Sequence, residues 1–331
     1  VLASAYQYQW ADGDENKGRG AIIFRPEFSF QPTEKDEIFA TFGFAAGNGL
    51  NGVTKFNIGP WAADLEDNVK NINDRGRDYL LTAWYKHTFK FSDRNALELT
   101  GGIIDSTDYV DENAFANDEY TQFMNKALVN GPNGFFPSYD IGGAAEWEIG
   151  NFDITALGMN IGKNDDGNNY NYLAAQILYK LGTSMGEGNY RLIVATTSKD
   201  FLDNEGKDKE RQLASFLSFD QELGDIFGVW LRIGWQSEKT VIDYDTLYSG
   251  GLNITGKWYG REGDNVGIGY AYLNDKYDLN YTQVAEVYWR FVLNDHFTLT
   301  ADLQYMKDKF DTPDMDDLEG INAGIRMTAE F

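Results

Sequence analysis

The sequence predicts an all-β fold, a transmembrane antiparallel up-and-down β-barrel of about sixteen strands. Three observations carry the prediction. Apolar and polar residues alternate with period two over stretches of about ten residues. The connections between those stretches switch between short and long. Many apolar faces carry aromatic residues at or near their ends, as rings at a membrane interface do.

The alternation is plain along the chain. In 21–31, Ile22, Phe24, Pro26, Phe28 and Phe30 share one face, and Ile23, Arg25, Glu27, Ser29 and Gln31 the other. In 78–90, Tyr79, Leu81, Ala83, Tyr85 and Phe89 oppose Leu80, Thr82, Trp84, Lys86 and Thr88. In 227–237, Phe227, Val229, Leu231, Ile233 and Trp235 oppose Gly228, Trp230, Arg232, Gly234 and Gln236. In 297–306, Phe297, Leu299, Ala301, Leu303 and Tyr305 oppose Thr298, Thr300, Asp302, Gln304 and Met306. The full set of expected strands is 2–10, 20–31, 37–46, 78–90, 96–104, 140–149, 152–161, 171–181, 189–198, 211–221, 227–237, 246–257, 265–273, 282–292, 297–307 and 320–331. Each is near the length that crosses a bilayer when tilted.

Short connections such as Ser92–Asn95, Gly150–Asn151 and Leu293–His296 alternate with generally longer ones, of which 47–77 and 105–139 are the longest. Short periplasmic turns and long outer loops are the barrel pattern. A soluble sandwich would also alternate, but it gives no reason for the switch in loop length and needs a second sheet to bury so many large residues. An even strand count puts both termini on one side. The final strand carries Phe331, Ala329, Met327, Ile325 and Ala323 on one face. That is the pattern expected of a C-terminal signal read by outer-membrane assembly machinery. The chain starts at Val1, which is read as the start of a mature protein whose export signal is gone.

Composition excludes other classes. The 331 residues form one expected domain, 1–331, because barrels run long as single domains. Against 28 Lys and Arg stand 52 Asp and Glu, for a net charge of −24, which argues against nucleic acid. There is no cysteine, so there is no disulfide and no thiolate metal site. No run approaches the roughly 20 apolar residues of a membrane helix.

Each long loop carries a helical stripe. In 105–139, Asn117 stands at a cap position, and Tyr120, Phe123, Met124, Ala127 and Leu128 follow at helical spacing. In 47–77, Pro60 precedes Trp61, Leu65, Val69 and Ile72. Two apolar loop faces that must pack on something predict short helices folded inward as a pore constriction; a helical cap over the rim is the plainer alternative.

The polar face of the alternation defines a lumen. Arg25, Glu27, Arg232, Glu286, Asp302 and Arg326 fall near its mid-height. Lys86, Glu98, Glu146 and Arg191 fall nearer the periplasmic end, with Glu148, Asp153, Asp220 and Arg290. Closure of the barrel would gather Arg25, Glu27, Glu286, Asp302 and Arg326 into one charged patch. Mixed signs in one narrow place suit a neutral polyol, whereas an ion-selective pore favours a ring of one sign. Asp105, Asp108, Asp111, Glu112, Asp118 and Glu119 make an acidic mouth. Trp84 and Trp230, on the lumen face, are candidate platforms for sugar rings; plain filling of the lumen explains them equally.

Catalytic and metal motifs find little support. A Ser-His-Asp hydrolase needs a histidine beside its nucleophile. Of the 2 histidines, His296 falls in a periplasmic turn and His87 on the lipid-facing register. No enzyme is expected. Asp12, Asp14 and Asn16 begin like a calcium loop, but Gly18 is one place late and Ile23 stands where the bidentate Glu belongs. The stretch Asn164–Asn168 is incomplete in the same way. No cofactor is expected; calcium bridging acidic loops to lipopolysaccharide is the one weak metal reading.

Several stretches resemble the carbohydrate-selective porins of the OprB family: Phe24-Arg25-Pro26-Glu27-Phe28, Gly101-Gly102-Ile103-Ile104-Asp105, Asp111 through Glu119 followed by Thr121-Gln122-Phe123, Glu146-Trp147-Glu148, Gly188-Asn189-Tyr190-Arg191, Ser218-Phe219-Asp220-Gln221-Glu222, Tyr248-Ser249-Gly250-Gly251-Leu252 and the Glu286 strand. The resemblance implies a sixteen-stranded barrel in a bacterial outer membrane, two inward-folded loops, and passive uptake of glucose or related neutral sugars. It also implies that Arg25, Glu27, Asp105 and Asp108 contact the solute. A channel for other small polar or charged solutes is the alternative. Expected partners are the sugars, outer-membrane lipids and lipopolysaccharide, and the assembly machinery.

Overall fold

Residues with period-two alternation pair edge to edge until no edge is left. The computed structural model describes residues 1–274, 279–312 and 315–331. Its strands, in chain order, are β1 (Leu2–Asp12), β2 (Lys17–Phe24 and Glu27–Thr33), β3 (Asp36–Phe42 and Phe44–Ala46), β4 (Leu80–Ser92), β5 (Asn95–Ile104), β6 (Asp140–Ile149), β7 (Phe152–Ile161) and β8 (Tyr170–Thr183). There follow β9 (Gly186–Thr197), β10 (Leu213–Leu223), β11 (Phe227–Gln236), β12 (Thr246–Thr255), β13 (Asn265–Asn274), β14 (Leu279–Val292), β15 (Phe297–Phe310) and β16 (Leu318–Ala329). A two-stranded hairpin, Phe201–Leu202 with Lys209–Glu210, sits outside this sheet.

The sheet has 18 segments, but β2 and β3 are each one strand broken in the middle, so the crossings number sixteen. The pairing of β2 with β3 keeps one register across the break, from Phe24 opposite Phe44 to Glu27 opposite Thr41. Pro26 has no N–H to give the ladder. Its carbonyl still accepts from the Phe42 N–H at 3.1 Å. Each strand pairs antiparallel with the next, and β1 pairs with β16 from Leu2–Ala329 to Asp12–Glu319. The ring is closed. Closure satisfies the backbone groups that an open sheet would leave bare in lipid.

Expected strand boundaries differ from these by a few residues. One face assignment is corrected. Leu81 was expected on the outer face with Tyr85, but the register slips between Thr41/Thr82 and Phe42/Leu80, a bulge that turns Leu81 inward. Leu81 is fully buried, in one cluster with Val69 and Ile72. Elsewhere the alternation holds. Ile22, Phe24, Phe28, Phe30, Leu231, Ile233 and Trp235 lie exposed on the outside, while Ile23, Trp230 and Arg232 are buried inside.

Gly102, at φ +150, sits where a Cβ would come within 2.3 Å of the Ala83 carbonyl and 2.6 Å of Trp84 Cα. We expect Gly102→Val to strain the β4–β5 pairing by about 1–3 kcal/mol. Heat-modifiable gel mobility reads this: a barrel as resistant to unfolding as the parent would contradict it.

The two long loops fold into the barrel as expected, but not as the helices expected. Segment 105–139 contains only two 3₁₀ turns, Ser106–Asp108 and Pro132–Gly134, and one helical turn, Lys126–Val129, capped by Asn125 rather than Asn117. Segment 47–77 has two 3₁₀ turns, Gly49–Gly52 and Ile72–Asp74. The wall takes the groups a helix would have used. Glu286 accepts from the Met124 and Asn125 N–H groups at 2.6 and 3.0 Å. Arg326 donates to the Glu119 and Gln122 carbonyls at 2.6 and 2.9 Å, and Thr328 to the Tyr120 carbonyl at 2.9 Å. The apolar stripes themselves were read correctly: Trp61, Leu65, Val69, Ile72, Tyr120, Phe123, Met124, Ala127 and Leu128 are all buried.

Candidate functional site

The two loops folded into the lumen leave a space between them. A cavity of about 470 Å³ lies there, with Arg25, Asp64, Asp105, Asp108, Glu119 and Lys126 supplying the charges. Asn68, Asn117 and Asn130 add amides, and Phe135, Phe136 and Tyr139 add rings.

Arg25 reaches this cavity from the break in β2. Its guanidinium lies 3.6 Å from the Asp64 carboxylate, 3.9 Å from that of Glu119 and 3.5 Å from the Tyr120 hydroxyl. The backbone here is pinned: the Arg25 N–H donates to the Val1 carbonyl at 2.7 Å, and the Val1 ammonium donates to the Arg25 carbonyl at 2.9 Å. The Tyr139 hydroxyl donates to Asp64, and Arg77 donates to the Tyr139 carbonyl. Asp105 caps the first turn of its loop, accepting from the Thr107 N–H at 2.9 Å and its hydroxyl at 2.7 Å. Enclosure within the loops pushes the Glu119 carboxyl up to about 8; Arg25 pulls it down, but burial outweighs that attraction. Cation, carboxylates and rings thus face one another across a polar space, an arrangement that offers donors and acceptors to an uncharged solute.

The structure sorts the expected pore residues into three groups. Arg25, Asp105 and Asp108 border the cavity. Glu27 follows on the same face but does not; it is exposed. Arg232, Glu286 and Arg326, expected near mid-height of the lumen, are bonded to the 105–139 loop, and Asp302, expected with them, is buried. Arg232 is fully enclosed, bonded to Asp111 at 2.8 Å and to the carbonyls of Ala116, Leu128 and Val129 at 2.5, 3.2 and 3.1 Å. Gln304 donates to Asp302 at 2.9 Å and also holds the Pro60 carbonyl at 3.0 Å. These side chains fasten the two loops to the barrel wall. Trp230 is covered as well, with Phe123 edge-on at 5.6 Å, so no solute reaches its face. Trp84 stacks on Phe39 at 4.9 Å with the Lys86 ammonium 5.7 Å from its ring.

The remaining expected residues lie toward the short-turn end. Glu98, Glu146, Glu148 and Asp153 border a small cavity of about 150 Å³ together with Glu112 from the loop. Lys86 bonds Glu98 at 3.0 Å. Arg191 is buried against Asp220 at 2.5 Å and is not free to meet a solute.

Glu119, expected in the acidic mouth, borders the cavity with Lys126 of the same loop, whereas Asp64 and Tyr139 were missed. A signal existed, since both loops were read as inward-folded, but nothing local says which loop side chains face the passage. Asp14, the heart of the weak calcium reading, accepts from Gln9, Lys17 and the N–H groups of Glu15 and Lys55. His87 bonds Asp36 at 2.7 Å and His296 bonds the Glu330 carbonyl at 2.9 Å.

Comparison with known proteins agrees with this geometry. The model of the carbohydrate-selective porin, OprB family, matches residues 62–331. An uncharacterized protein of Aquifex aeolicus is 29% identical over 294 residues, covering 87% of this chain and 82% of that one. The high-pH structure of Pseudomonas putida OprB superposes with a TM-score of 0.75 at 15% identity, over 100% of this chain and 93% of that one. The outer membrane channel DcaP of Acinetobacter baumannii superposes with a TM-score of 0.59 at 10% identity, over 99% and 95%. The likeness to these solved structures shows a shared barrel, and the family match shows more: this chain belongs to the carbohydrate-selective porins of the OprB family and is a channel of the bacterial outer membrane.

Proposed function

We propose that the channel passes small neutral sugars such as glucose by passive diffusion, and that selection occurs in the cavity between the two long loops. One observation carries the reading. Arg25 stands against Asp64 and Glu119 in a cavity walled by amides and rings. The opposite charges of Arg25 and Asp64, 3.6 Å apart, largely cancel for a passing ion, while these groups and the Glu119 carboxyl remain open to hydroxyls. The name of the family supports the sugar. The outer face is proposed to meet lipid and lipopolysaccharide, and the C-terminal strand the assembly machinery. Neither a cofactor nor a reaction belongs to this reading.

Liposome swelling tests it. Glucose should enter faster than charged solutes of similar size; equal rates would make the channel a general pore. Arg25→Ala should slow glucose entry by about tenfold or more, since a charged hydrogen bond is worth about 1.5–3 kcal/mol. Heat-modifiable mobility should show an assembled barrel. Glu27→Ala, outside the cavity, should change entry little.

A further inference from the structure

A second cavity, of about 420 Å³, lies on the outer side of the constriction. It is enclosed by Pro132, Asn133 and Phe135 of the long loop and by the outer segments 165–166, 201–202 and 241–244. Pro132 and Phe135 line both cavities, so the two adjoin at these residues.

Its chemistry is not that of a simple entrance funnel. Two rings are fixed in place: Phe201 by Tyr170, edge-on at 4.8 Å, and Phe135 by Tyr172, edge-on at 5.9 Å. Between them lie Gln212 at the start of β10 and Gln236 at the end of β11, both buried. Their side-chain amides make no hydrogen bond to another protein group among the described residues. Asn133 is 2% exposed, and its Oδ1 also has no partner among the described residues. Amides that line a cavity without a protein partner offer donors and acceptors there to hydroxyls or water. A solute with hydroxyls along its edges and apolar C–H faces replaces that water without losing its bonds, and its faces lie against the fixed rings.

We propose that this outer cavity is a second sugar subsite, and that together with the constriction cavity it seats the two rings of a disaccharide. The inference rests on the sugar reading above and extends it to the substrate class. In this arrangement one ring lies by Gln212 and Gln236, the other by Arg25, and Phe135, common to both cavities, lies between. A single ring occupies one cavity at a time.

Sugar block of ion current in planar bilayers tests this, with maltose and glucose as probes. In the Gln212→Ala/Gln236→Ala variant, maltose affinity should fall about tenfold, for two lost hydrogen bonds, while glucose block at the constriction is retained. Phe201→Ala, which alters no strand of the barrel, should weaken maltose in the same selective way. Arg25→Ala should weaken both sugars. Heat-modifiable mobility confirms assembly of each variant. If the outer variants leave maltose unchanged, or shift both sugars in parallel, the second subsite is overturned while the constriction reading stands. If neither sugar blocks the parent channel, the sugar reading falls and the subsite falls with it.

Discussion

Arg232→Met is expected to release the 105–139 loop from the barrel wall and raise the single-channel conductance. Arg232 holds four loop groups at once: the Asp111 carboxylate and the carbonyls of Ala116, Leu128 and Val129. No solvent reaches it or Asp111. Removing one partner of a buried pair leaves an uncompensated charge and costs about 3–5 kcal/mol. Here the cost falls on loop docking, because the sheet is held by backbone pairing on both sides of β11. The barrel should therefore assemble, migrate normally when unheated, and conduct more current with less discrimination among solutes. Limited proteolysis should cut within 105–139 where the parent is protected. The Asp111→Asn/Arg232→Met double variant should recover part of the docking, since it removes the unpaired carboxylate while Asn tolerates the positive φ and still accepts from the Gly131 N–H. Unchanged conductance and unchanged protection in the single variant would show that the loop is held by other means.

Raising the pH through about 8 is expected to make the constriction more cation-selective. The Glu119 carboxyl is pushed up to about 8, first by burial and further by Asp118 and Asp64, against the pull of Arg25. Below that pH it is neutral, and above it the cavity gains negative charge from Glu119 and from Asp108, whose carboxyl burial also pushes up to about 8. A unit charge within about 4 Å of a passing ion is worth about 1 kcal/mol even at the dielectric of water, roughly a fivefold change in partition. The stability of the docked loop follows the same shift. The docked loop keeps a proton that the free chain gives up at the ordinary carboxyl value of about 4.3. Docking is thus strongest below that value and weakens as pH rises through the window to about 8, with no further loss above it. Reversal potentials in a KCl gradient at about pH 6 and about pH 9, on either side of the Glu119 transition, read the selectivity step. Glu119→Gln should shrink the step, and Glu119→Gln with Asp108→Asn should remove it. A flat profile in the parent would contradict the buried, protonated carboxyl.

The barrel was legible in the sequence because its causes are local. A strand turns alternate side chains to opposite faces, so lipid on one side and a filled lumen on the other print a period of two along every crossing. Loop lengths print the two ends, and even the buried stripes of the long loops could be read. What the sequence did not decide is the path those loops take. Helical spacing in 118–128 and 60–72 predicted helices, yet the bonds a helix would form are drawn off by partners as far away as Glu286, 162 residues from Met124, and Arg326, 207 from Glu119. The same docking reversed the roles of residues. Arg232, Glu286, Asp302 and Arg326 read as pore charges became fasteners, and Asp64, Glu119 and Lys126 took the passage with Arg25. Alternation states only that a side chain points inward. Whether it meets solute or loop depends on where a distant segment settles, and that was decided by tertiary contacts alone.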